Sequence, residues 1–111
     1  MRITFVKKIR ADGSPCRKCA EVAGRLEREG YMARIDQVLT ADERDPQSPG
    51  MLLAREYRVE RAPFFVVEDD EGGVRVYTVY LRFLREVLQE QTSAAEEASE
   101  ILRNNPDLDF L

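Results

Sequence analysis

Residues 2–39 constrain the fold more than any other stretch. Ile3, Phe5 and Val6 stand in the β-branched and aromatic run "RITFVK", residues 2–7, which predicts a first strand. Asp-Gly and Ser-Pro in "IRADGSP" predict a loop. A helix is predicted from about 16 to 29, because Cys19, Val22, Ala23 and Leu26 recur at i, i+3, i+4 and i+7. Arg17, Lys18, Glu21, Arg25 and Arg28 lie mostly off that stripe. Gly30 follows, where a left-handed residue closing a helix costs least. "YMARIDQVL", residues 31–39, alternates enough to predict a second strand. Two strands joined through a helix run parallel, with a right-handed crossover.

The remaining chain extends this α/β pattern. "TADERDPQSPG", residues 40–50, is polar, carries two prolines and predicts a connection. Ser48 then Pro49 predicts a helix entry, a capping hydroxyl followed by proline in the first turn, with the helix reaching about Tyr57. "FFVVED" predicts a dense apolar strand, Gly72 and Gly73 a hairpin turn, and "VRVYTV" its partner. "YLRFLREVLQEQ", residues 80–91, predicts a helix with Leu81, Leu84, Val87 and Leu88 on one face. The order β-α-β-α-β-β-α occupies residues 1–91. Residues 92–111, rich in alanine and glutamate, predict a C-terminal helical extension to about Arg103 and a tail.

Composition limits the function classes. A chain of 111 residues that is 43% hydrophobic holds one modest core. With 21 acidic and 17 basic residues and a net charge of −4, it lacks the basic balance of a general nucleic-acid binder. No apolar run approaches the ~18 residues of a membrane span. "MRITFVKKIR" lacks the long apolar segment and cleavage site of a secretory leader, so the expected compartment is the cytoplasm. Histidine is absent, and with it the commonest general base and metal ligand.

The chemistry falls to Cys16 and Cys19, the only two cysteines in the chain, in "GSPCRKCAEVAGRLEREG". In the cytosol such a pair is more often catalytic or metal-binding than a structural staple. Structural zinc takes four ligands, so a zinc or iron–sulfur site would need a dimer or outside thiols. A buried pair without a redox role is the third reading. "EDDEGG" lacks the spacing of a calcium loop and reads as a solvated turn. Lys7 and Lys8 end the first strand near the cysteine loop, where solvated lysines are common.

A Cys-x-x-Cys opening the first helix of this order resembles the thioredoxin and glutaredoxin superfamily. "EYRVERAPFFVV", residues 56–67, extends the resemblance: Tyr57, Val59 and Pro63 match the family's tyrosine, apolar residue and proline before a buried strand. The resemblance covers residues 1–91 and implies a thioredoxin-like fold with a central four-stranded mixed sheet. It further implies a cis Ala62–Pro63 bond beside the cysteines, and substrate backbone pairing at Ala62 and Pro63. Departures are Pro15 before the first cysteine, Arg-Lys between the two, Arg10 where thioredoxins carry a buried aspartate, and Gly72-Gly73 one strand earlier than the glutaredoxin pair.

The expected function is thiol–disulfide exchange with a protein disulfide, with a separate thiol as reductant and no cofactor. Cys16, at a helix N-terminus and beside the cations Arg17 and Lys18, is the expected nucleophile, since both effects favour a thiolate. Cys19, one turn on and starting the apolar stripe, is the expected resolving thiol. Asp12 and Asp36 are the candidate carboxylates for moving its proton. The competing readings are a binding module of the same fold with little turnover and a metal-binding dimer. Oligomeric state stays open, and "DLDFL" offers apolar residues for association.

Overall fold

A computed structural model of the chain describes residues 1–89. The chain divides into two compact units, Met1–Tyr80 and Leu81 onward. The architecture is α/β: a four-stranded mixed sheet and three α-helices among the described residues.

Strand β1, Arg2–Ile9, is central. On one side it pairs in parallel with β2, Gln37–Asp42, from the Thr4–Gln37 pair to the Ile9–Asp42 pair. On the other it pairs antiparallel with β3, Phe64–Glu68, from Arg2–Glu68 to Val6–Phe64. Strand β4, Val74–Tyr77, completes the order β2-β1-β3-β4. In β1 Ile3 to Val6 are all buried, and in β3 Phe64 to Val67 are too. Uninterrupted burial of this kind marks strands covered on both faces. Val6, Ala41, Phe64 and Val66 form a cluster on one face, with Met51, Ala54 and Tyr57 of helix α2, Pro49–Tyr57, packed against it. Phe5 stacks on Phe65 with ring centroids 5.1 Å apart. Helix α1, Arg17–Arg28, buries Cys19, Val22 and Leu26 of the predicted stripe, and Ala23 is half-buried.

Both long helices end through the same backbone device. After α1, the Gly30 amide donates to the Glu27 carbonyl at 3.2 Å and the Tyr31 amide to the Leu26 carbonyl at 2.8 Å, with Gly30 at φ +78°. After α2, Arg58 and Val59 donate to Arg55 and Ala54 at 3.3 and 2.8 Å. There the left-handed position, φ 56°, belongs to Arg58. A left-handed residue at this point satisfies carbonyls the helix leaves open.

Four expectations change. The second strand is not 31–39. Met32–Arg34 form a 3-10 turn, and pairing starts only after Asp36 is anchored to Ile3: its amide donates to the Ile3 carbonyl at 2.9 Å, and its carboxylate accepts the Ile3 amide at 2.7 Å. Thr40 to Asp42, predicted as connection, are therefore strand. Ser48 precedes Pro49 as predicted, yet its hydroxyl does not cap the helix; it accepts the Asp42 amide at 3.0 Å and so closes β2. Strand β4 stops at Tyr77 rather than 79. The last helix, α3, runs Tyr80–Phe83 and widens into a π-helical turn over Leu84–Gln89. Tyr80, Phe83, Leu84, Val87 and Leu88 are buried, at i, i+3, i+4, i+7 and i+8, and Leu81, expected on that face, is 58% exposed. The end of that helix and the predicted extension over 92–111 lie outside the described residues. No helix among the described residues is long and apolar enough to cross a membrane.

Candidate functional site

The loop after β1 doubles back on its own strand. The Gly13 amide donates to the Arg10 carbonyl and the Arg10 amide to the Ser14 carbonyl, both at 2.8 Å. Gly13 sits at φ +86°, a conformation that favours glycine. Asp12 accepts the Ser14 amide and hydroxyl at 2.9 and 2.6 Å. Those two bonds, the hydroxyl's first, hold its carboxyl below the usual carboxylate range. The return leg bridges Ile9 to Pro15, and the Cys16 amide donates to the Lys8 carbonyl at 3.2 Å. Cys16 is thus delivered beside the end of the central strand, where α1 begins.

Cys16 is the N-cap of α1. Its Sγ accepts the Cys19 amide at 3.2 Å, the bond a serine or aspartate oxygen makes at this position. A helix N-terminus presents such unpaired N–H groups to an acceptor. Both thiols are free and buried, Cys16 at 8% and Cys19 at 4% exposure. The expected contrast in burial is therefore small, and the difference lies in what each sulfur faces. Cys16 lines an open cavity of about 630 Å³ with Lys8, Asp12, Lys18, Glu43 and Ala62. Cys19 does not line it. Burial first, then its hydrogen bond with the Cys16 side chain, pushes the Cys19 thiol up to about 12. A hydrogen bond from the Lys8 backbone and the Lys8 charge act the other way.

The Ala62–Pro63 peptide is cis, as the resemblance implies. Cys16 Sγ lies 4.0 Å from the Ala62 carbonyl oxygen, so the segment before β3 does face the cysteines. The β1–β3 ladder ends at Val6–Phe64, leaving the backbone at 61–62 beyond it. Pro63 is buried and Ala62 half-buried. Arg17 and Lys18 are both exposed on the first turn of α1, and of the two Lys18 lines the Cys16 cavity.

The carboxylates divide. Asp12 lines the cavity. Asp36 does not belong to the site: it holds Ile3, at the other end of β1 from Lys8 and Cys16. The residue missed in the sequence is Glu43. Its amide donates to the Ile9 carbonyl at 2.9 Å, its Oε1 accepts the Ala11 amide at 3.0 Å, and its Oε2 lies 3.3 Å from Lys8 Nζ. Its side chain so ties the loop to Lys8, and its amide holds the strand end. Its position just past β2 emerges only once β2 is extended to Asp42.

Among the described residues no group of three or more cysteine, aspartate or glutamate side chains is placed to hold a metal ion. Compared with family models, curated proteins and solved structures, the chain matches none.

Proposed function

We propose that this chain is a thiol–disulfide oxidoreductase of thioredoxin-like fold, acting in the cytoplasm on a protein disulfide. The observation that carries the reading is the asymmetry of the dithiol: Cys16 faces an open cavity and accepts a helix-terminal amide, and Cys19 lies behind it with its proton held tightly. The α/β order with its four-stranded mixed sheet and the Ala62–Pro63 segment against Cys16 support the fold assignment.

The Cys16 thiolate attacks one sulfur of the partner disulfide. That S–S bond breaks, one partner sulfur leaves and takes up a proton, and a mixed disulfide joins Cys16 to the other. Cys19 then gives up its proton and its sulfur attacks the Cys16 sulfur. The mixed disulfide breaks, the second partner thiol is released, and Cys16 and Cys19 remain joined. Two electrons have passed to the partner, and an external thiol reductant restores the dithiol. Lys8 favours the Cys19 thiolate through its amide and its charge, and Glu43 holds that lysine in place. Ala62, beyond the sheet ladder, pairs with the backbone of the bound substrate, and Lys18 adds positive charge to the rim.

Insulin reduction tests this assignment. Wild-type protein with a thiol reductant accelerates precipitation of the insulin B chain. Cys16→Ser and Cys19→Ser both lose turnover, and Cys19→Ser alone accumulates a mixed disulfide. Wild-type protein no faster than reductant alone refutes the enzyme and leaves a binding module.

A further inference from the structure

A second cavity, of about 280 Å³, adjoins the first and has a different character. The two share Lys8, Glu43, Glu60, Arg61 and Ala62, so they are parts of one cleft. Beyond that charged band the walls are apolar: Ala41 from β2, Met51 and Ala54 from α2, Val59, and Phe64 at the start of β3. Phe64 and Ala41 are 1% and 3% exposed, so the cavity floor is the sheet core itself. Lys8 is paired to Glu43, and Glu60 and Arg61 bring one charge of each sign, which leaves the Arg55 guanidinium, donating to the Pro46 carbonyl at 3.3 Å, as one excess positive charge at the mouth. Selection for an apolar group therefore comes from the floor, where a polar group would lose its water without gaining a partner.

We infer that this cavity is a specificity subsite that receives one uncharged apolar side chain of the substrate polypeptide, two residues from its reacting cysteine. The inference rests on the oxidoreductase reading, because the occupant is placed by its attachment to Cys16. An extended chain held at Ala62 turns alternate side chains to the same face. The substrate cysteine points at Cys16, and the side chain two positions away points to the same surface. The backbone segment shared by both cavities, residues 60–62, leads from one to the other. A leucine-sized group moved from water into such a site changes affinity about ten- to a hundredfold.

The test is a series of short peptide disulfides, identical except for Leu, Ser or Asp placed one, two or three residues from the cysteine on either side. Rate constants for reduction by wild-type protein are compared with that for bis(2-hydroxyethyl) disulfide, which is too small to reach both cavities. Leu two residues away on one side is expected to react at least about tenfold faster than Ser or Asp. Ala54→Phe, which fills the cavity, removes that preference and leaves the small disulfide unaffected. Met51→Ala enlarges the cavity and shifts the preference from Leu towards Phe. Equal rates for Leu, Ser and Asp at every position, with the small disulfide still reduced, overturn the subsite and spare the oxidoreductase. Failure to reduce any disulfide overturns both.

Discussion

The Cys19 thiol makes a quantitative demand on stability. It is 4% exposed and held up to about 12 by burial, then by Cys16, against 9.0 for the same thiol in water. In the reduced protein, unfolding releases it to titrate near the lower value. Between pH 9 and 12 the unfolded chain has lost this proton and the native chain keeps it. Stability then falls by about 1.4 kcal/mol per pH unit, since it declines wherever the native state binds more protons. The contribution is fully present below pH 9. About 2 kcal/mol is lost by pH 10.5, and about 4 kcal/mol over the whole interval. Cys19→Ala has no such group. Its stability differs from wild type by a constant packing loss below pH 8, and the gap closes by about 2 kcal/mol at pH 10.5. Tyrosines and lysines titrate in both proteins and cancel in the difference. The assay is urea unfolding of both proteins under a strong non-thiol reductant at half-unit pH steps from 7.5 to 10.5. Parallel curves across that range would show that Cys19 ionises as freely in the fold as in water, and the asymmetry underlying the proposed exchange would be lost.

Two further substitutions probe the scaffold. An ideal Cβ on Gly50 would lie 2.6 Å from the Ala41 Cα and nearer still to Thr40 C and Ala41 N, all of them backbone that cannot turn aside. Gly50→Ala gains about 1 kcal/mol of helix propensity and loses more by lifting α2 off β2, for a net destabilisation of about 2 kcal/mol; a urea midpoint equal to or above wild type contradicts this contact. Arg58 closes α2 at φ 56°, where a side chain costs about 1–2 kcal/mol and glycine almost nothing. Set against glycine's greater freedom when unfolded, Arg58→Gly stabilises by up to about 1 kcal/mol, and a lowered thermal midpoint contradicts it.

What was legible in the sequence was local. The stripe Cys19, Val22 and Leu26, the left-handed Gly30, the Asp-Gly loop and the hairpin at Gly72 each depend on residues within a few positions of one another, and each takes its expected form. The misreadings are contacts made at a distance. The start of β2 is set by Asp36 gripping Ile3, 33 residues away. Ser48 serves Asp42 across a turn instead of its own helix. Glu43 looks like one more charge in a polar connection until β1, β2 and the cysteine loop converge on it. Gly50 reads as an ordinary helix-entry residue, and only the approach of α2 to the β2 backbone shows why a side chain is excluded. In the last helix the buried face runs through Tyr80, Phe83, Leu84, Val87 and Leu88, and the expected face took Leu81, at its edge, in place of Phe83.

The placement of β1 has a consequence for biosynthesis. Among the described strands β1 is translated before the others, is flanked on both sides in the finished sheet, and has an antiparallel neighbour translated about sixty residues later. At about 5–20 residues per second, "ITFV" waits roughly 3–12 seconds before that second flank exists. Through that interval the edge of β1 that β3 will cover is open to pairing with other nascent chains.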